Sequence, residues 1–191
     1  MIHEFIGLPG AGKSYMANQI AQSKGIVGVE IKNTKERLAR SLLFFISHPF
    51  FSARLLAIFI QENYKNSKLL KHKFATIVLE IMAREQKVKQ GEMIETGFFQ
   101  LLLSIYEREI SEKDVASLFY WLKKRDYMVY IVEASREIRE KRIQERGRIP
   151  RGGVVTDTSK LVAWFGLLEH NFETVKQGII KDFLYERIQN N

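Results

Sequence analysis

The chain has 191 residues, 46% of them hydrophobic, and a formal net charge of +8 at pH 7. That length suffices for one domain with a sizeable core, and the positive balance suits anionic ligands, among which nucleotides qualify without any nucleic acid. The absence of cysteine excludes a disulfide scaffold, a thiolate metal site and a cysteine nucleophile.

The first residues carry the most specific signal. Ile2, Phe5 and Ile6 read as a short buried strand, and residues 15–23, with Met16, Ile20 and Ala21 at helical spacing, as a helix. Between them stands Gly7-Leu8-Pro9-Gly10-Ala11-Gly12-Lys13-Ser14, which fits G-x-x-x-x-G-K-[ST] without a mismatch. Glycines at 7, 10 and 12 free the backbone to turn successive N–H groups around a phosphate, and the N-terminus of the next helix adds partial positive charge. Pro9, Gly10, Ala11, Gly12, Lys13, Ser14 and Tyr15 are therefore the expected nucleotide contacts. Lys13 would reach the β- and γ-phosphates, and the Ser14 hydroxyl would ligate Mg²⁺. Met1 leads straight into the strand without the basic and apolar regions of a secretory leader, so a cytoplasmic protein is expected.

Residues 26–31 (IVGVEI) read as a second strand, with Glu30, Lys32 and Asn33 at or just past its C-terminal end. Ligands of open α/β sheets sit beyond that edge, so these three are either crevice residues or ordinary loop polarity. Residues 34–90 show only helical patterning. Leu38, Leu42 and Phe45 step along one face, His48-Pro49 breaks the run, and Leu55, Ile58 and Phe59 mark a second helix. A longer one follows over about 68–89, with a wide stripe of Leu70, Phe74, Ile77, Val78, Ile81, Met82 and Val88. A plain crossover needs one helix, so this insertion builds an acceptor pocket or an oligomer interface, the latter implying a homodimer. Residues 41–60 are the most apolar, but His48, Pro49 and Arg54 interrupt them, which favours buried helices over a transmembrane segment.

Residues 92–97 read as a short third strand that ends on Glu95 and Gly97. An acid placed there beside the phosphate loop supplies a hold on Mg²⁺ or a base for an attacking hydroxyl, and both roles stay open for Glu95. Helices follow over about 98–109 and 112–124, the second opened by Ser111 with Asp114 as a capping-box pair. Residues 127–132 (YMVYIV) are the clearest strand, interior to the sheet, and Ser135 begins another helix. Arg139, Arg142 and Arg146 fall on one face of that helix, with Arg148 and Arg151 beyond it among Gly147, Pro150, Gly152 and Gly153. Clustered guanidiniums on a hinged segment suit a phosphoryl-transfer lid over about 142–157, with Arg142 and Arg146 as catalytic and nucleotide-binding residues. Asp157 or Thr158 caps the last long helix, Gly178 is placed to stop it, and residues 179–188 form a strand or a short helix. No repeat or linker divides residues 1–191, which are taken as one domain.

The loop GLPGAGKS, the acid-terminated third strand and a fourth strand leading to a helix with R-x-x-x-R-G-R resemble the P-loop kinases of the nucleoside and nucleotide kinase type. The resemblance implies an α/β fold of three layers: a parallel five-stranded sheet in order 2-3-1-4-5 with helices on both faces. It further implies ATP and Mg²⁺ at the loop, and a small-molecule acceptor under the helices between strands two and three. Lys13 then contacts the transferring phosphates, Ser14 holds Mg²⁺, Glu95 takes the carboxylate position, and Arg142 and Arg146 act from the lid. The chain departs from the family after the acid, where Glu95-Thr96-Gly97-Phe98-Phe99-Gln100 lacks the usual arginine. Sugar or polyol acceptors, as in gluconate- or shikimate-type kinases, therefore stand beside nucleosides and nucleotides.

Two function classes emerge. One is an ATP- and Mg²⁺-dependent small-molecule kinase. The other is a nucleotide-binding switch that acts on a protein partner through the apolar helices. Nucleic acid is not an expected partner, since no aromatic and basic interleaving of the kind that stacks bases is present.

Overall fold

The computed structural model describes residues 1–146 and 158–190, with side chains throughout except at 158–162. Five strands form one parallel sheet: β1 (Ile2–Ile6), β2 (Val27–Gly28), β3 (Glu92–Ile94), β4 (Tyr127–Glu133) and β5 (Leu184–Gln189). Their order is β2-β3-β1-β4-β5, as the family resemblance implies. Interior parallel strands are covered on both faces, which is why β4 reads as a nearly unbroken apolar run and β1 buries Ile2, Phe5 and Ile6.

The two-residue alternation of β1 and β4 divides the core into two layers. Ile2, Ile6, Val129 and Ile131 face one side, packing with α2 (Thr34–Ser47), α3 (Pro49–Asn63), α5 (Leu79–Lys87), α6 (Phe98–Ile105), α7 (Glu112–Leu122) and α9 (Thr158–Asp182). Phe5, Tyr130 and Val132 face the other, against Ala17 and Ile20 of α1 (Lys13–Lys24). Helices thus cover both faces of the sheet. Two further helices, α4 (Ser67–Lys73) and α8 (Arg136–Glu145), complete the described set, and a π-helical stretch, Phe74–Val78, joins α4 to α5.

Several elements differ from the sequence expectation. The helix expected over 68–89 is one continuous rod that changes pitch, because the apolar stripe fixes the buried face and not the hydrogen-bond register. The second strand is only Val27–Gly28, and the helix expected over 98–109 ends at Ile105. Gly178 does not stop the last helix, which continues to Asp182. Its role is close approach: a Cβ there would lie 2.7 Å from Val115 Cγ1 and 2.9 Å from Phe119 Cε2 on α7. The fifth strand then forms from Leu184 onward.

Among the described residues no single helix is long and apolar enough to cross a membrane; α2 and α3 pass such a test only jointly and meet at 112°. Leu42, Ile46 and Phe50 lie exposed on these two helices.

Candidate active site

The loop between β1 and α1 has the backbone that its glycines permit. Gly10 and Gly12 take φ of 81° and 86°, in the left-handed region where a Cβ is strained. A Cβ at Gly10 would meet the Arg139 carbonyl oxygen at 2.5 Å, and one at Gly12 would run into the Asn190 side-chain amide. Gly12 is also the N-cap of α1, so the first N–H groups of the helix open towards the loop.

Lys13 lies against this backbone, its ammonium donating to the carbonyls of Gly7 (2.8 Å) and Leu8 (3.4 Å). Desolvation pushes its pKa down to about 8; the Glu95 charge opposes that shift and Arg146 adds to it. Those couplings place Lys13, Glu95 and Arg146 in one electrostatic neighbourhood. One helical residue further on, the Ser14 hydroxyl donates to Glu95 Oε1. Ser14 lies in the first turn of α1 and Glu95 follows β3, so the pairing of β1 with β3 is what brings them together across 81 positions of sequence.

The remaining expected contacts divide. Pro9 and Ala11 belong to the loop, where Ala11 N–H closes a turn on the Leu8 carbonyl at 3.1 Å. The Tyr15 side chain is exposed, and its hydroxyl accepts from Gln19 Nε2 at 2.6 Å. Arg142 Nη1 reaches the loop, donating to Asn190 O at 3.1 Å and to Gly10 O at 3.4 Å. Arg146 ends α8 exposed. Arg139 does not share their situation: it is 7% exposed and paired with Glu169 on α9, so it belongs to the packing behind the loop. The rest of the expected lid, with Arg148 and Arg151, lies outside the described residues. Glu30 is exposed just past β2, and its backbone carbonyl accepts from Lys87 at 2.8 Å.

Three contributors escaped the sequence reading. Gln100, in the first turn of α6, accepts the Gly7 N–H through Oε1 at 3.2 Å. Asn190 donates from Nδ2 to the Ala11 carbonyl at 2.8 Å, and no local pattern could have linked it to a loop 179 residues away. Glu4 is a fully buried acid in the middle of β1. It did leave a signal, since an acid inside an interior strand requires partners.

The donor set suits a nucleoside triphosphate with Mg²⁺. The loop carries two left-handed glycines and a lysine, and Ser14 and Glu95 offer oxygen atoms beside it. Among the described residues no group of three or more His, Asp or Glu could hold a metal.

No protein-family model matches the chain, and no curated protein sequence does. Solved structures of deoxyadenosine kinase from M. mycoides do. The form with bound dCTP is 16% identical over 99% of this chain and 90% of that one, with a TM-score of 0.54. The form with products dCMP and a flexible dCDP is 14% identical over 98% and 90%, with a TM-score of 0.48. The dATP form is 14% identical over 99% and 91%, with a TM-score of 0.44. The first likeness shows that this chain shares its fold with that deoxyadenosine kinase, and at such identity it shows the fold alone.

Proposed function

We propose that this chain is an ATP- and Mg²⁺-dependent phosphotransferase that moves the γ-phosphate of ATP onto a hydroxyl of a small acceptor. The observation that carries this reading is the Ser14–Glu95 pair beside Lys13, joining the end of the phosphate loop to the end of the neighbouring strand.

Ser14 and Glu95 would hold Mg²⁺, which would supply neutralisation of the phosphate charge. The loop N–H groups and the α1 N-terminus bind the phosphate oxygens, and Lys13 exchanges its carbonyl partners for them. Arg142 is held by two neutral carbonyls, weaker partners than a phosphate, so it is free to turn to the transferring group. The contact with Ser14 supports the metal-side role for Glu95 over that of base.

A nucleoside or nucleotide is the acceptor class to test first, because the similar fold is that of a deoxyadenosine kinase. Sugars and polyols come second, since Thr96 follows Glu95 where deoxynucleoside kinases carry arginine. The test is an ADP-release screen with Mg²⁺ across nucleosides, nucleoside monophosphates, sugars and polyols. Release that depends on one class and vanishes in Lys13→Ala establishes the kinase and its substrate class.

The exposed Leu42, Ile46 and Phe50 favour a second reading, a nucleotide-gated module that binds a partner or a second copy through α2 and α3. ATP-dependent association without acceptor-dependent release would select it.

A further inference from the structure

Glu4 is 0% exposed in the middle of β1, three residues before the phosphate loop. Its Oε1 accepts the backbone N–H groups of Phe99 (2.7 Å) and Gln100 (3.3 Å), the first turn of α6. Its carboxyl also fills the space beside Gly97, where a Cβ would lie 2.5 Å from Glu4 Cδ. The turn so held has two consequences at the site. It carries Gln100, whose Oε1 takes the Gly7 N–H, and it directly follows Glu95, which takes the Ser14 hydroxyl.

A second buried acid completes the arrangement. Glu85 of α5 is 2% exposed, and its Oε2 accepts from Arg125 Nη1 (2.6 Å) and the Tyr127 hydroxyl (2.8 Å). Two carboxyl oxygens are left without a hydrogen-bond partner among the described residues, Glu4 Oε2 and Glu85 Oε1. Orphaned buried oxygens are costly as two charges, whereas a carboxylic acid is a donor that satisfies one of each. The arginine decides which acid keeps the proton: Glu85 pairs with Arg125, and among the described residues Glu4 pairs with no cation.

We propose that Glu4 is a positioning residue for Glu95 and Gln100, and that it acts as the neutral acid, keeping its proton on Oε2 as a hydrogen-bond donor on the side of Glu85. Burial and the Glu85 charge both push the Glu4 carboxyl well above the usual carboxylate range, against the pull of the Phe99 and Gln100 N–H groups. Burial raises Glu85 as well, opposed by Arg125 and Tyr127. The unfolded chain loses the Glu4 proton in the ordinary carboxylate range while the folded chain keeps it. Glu4 therefore lowers stability as pH rises from that range towards its folded value.

The link from Glu4 to Glu95 rests on the proposed ATP and Mg²⁺ site, so the experiment separates the two. Wild type, Glu4→Gln and Glu4→Ala are compared by titration with ATP, with and without Mg²⁺, by urea unfolding from pH 5 to 8, and by infrared spectroscopy at neutral pH. Glutamine keeps an acceptor for the α6 N–H groups and a donor for Glu85, so Glu4→Gln retains Mg²⁺·ATP affinity. Glu4→Ala loses it about tenfold, with a smaller loss when Mg²⁺ is absent. Wild type shows a protonated-carboxyl band that Glu4→Gln lacks, and the stability gained by Glu4→Gln grows with pH. Equal losses in both variants, or wild-type affinity in Glu4→Ala, overturn the positioning role. Parallel stability profiles, or a carboxyl band that survives in Glu4→Gln, overturn the neutral acid. A wild type that binds no ATP removes the proposed function, while the spectrum and the unfolding profiles still decide the state of Glu4.

Discussion

The Asn190 side-chain amide donates to the Ala11 carbonyl at 2.8 Å, fastening the end of β5 onto the middle of the phosphate loop. Asn190 also offers its own carbonyl to Arg142, so one residue links the loop, the last strand and α8. Removing the amide in Asn190→Ala loses one loop hydrogen bond, a net value of about 1 kcal/mol. Urea unfolding is expected to show stability lowered by about that amount, and calorimetric titration to show ATP affinity reduced about fivefold because the loop is less firmly held.

Gly10 and Gly25 both sit at positive φ, but in different surroundings. A Cβ at Gly25 meets nothing within 4 Å, so Gly25→Ala carries only the backbone cost, about 1 kcal/mol. At Gly10 the Cβ would lie 2.5 Å from the Arg139 carbonyl oxygen, so the loop or α8 must shift. Gly10→Ala is expected to cost roughly 3 kcal/mol in urea unfolding and to abolish ATP binding; equal costs at the two positions would contradict the packing of α8 on the loop.

The low pKa of Lys13, about 8, sets a pH dependence for binding. Phosphate pairs with the ammonium and not with the neutral amine. Free protein below that value is already charged, so affinity there is flat in this group. Above it a proton must first be taken up, and affinity falls by up to about tenfold per pH unit until the pKa of the complex is reached. Nucleotide titrations between pH 6 and 10 measure this directly, and the break disappears in Lys13→Ala.

Two glycines of α9 give opposite expectations. Gly166 has nothing within 4 Å of an added Cβ, so Gly166→Ala is expected to stabilise by about 1 kcal/mol through helix propensity. Gly178→Ala makes the same gain but drives a methyl into Val115 and Phe119, where overpacking costs about 1–3 kcal/mol. A net loss at Gly178 in urea unfolding, beside a gain at Gly166, is the expected pair.

What the sequence revealed follows from the range of each interaction. The phosphate loop was legible because the residues of its motif are contiguous, and the order of the sheet followed from the family that the motifs resemble. Glu95 could be placed because strand ends in a parallel sheet converge on one edge. The Arg139–Arg142–Arg146 spacing gave a helical face but could not show how that face turns, and Arg139 packs inward on Glu169. Gly178 read as a helix stop because a missing side chain looks the same at a cap and at a helix crossing. Asn190 and Gln100 act on the loop through tertiary contacts alone, which no local spacing encodes.

Among the described residues Arg142 donates to two neutral carbonyls, so its removal leaves no opposite charge without a partner. Arg142→Ala is expected to reduce acceptor-dependent turnover about a hundredfold with little change in thermal stability. Full-rate turnover would remove Arg142 from the catalytic set.

The most direct test of the account follows the label from γ-labelled ATP in the presence of Mg²⁺ and each acceptor class, for wild type and Lys13→Ala. The expected result is label in a phosphorylated small acceptor with wild type and none with the variant. Label confined to ATP or inorganic phosphate, whatever the acceptor, would contradict phosphotransfer and leave a nucleotide-binding or hydrolysing module in its place.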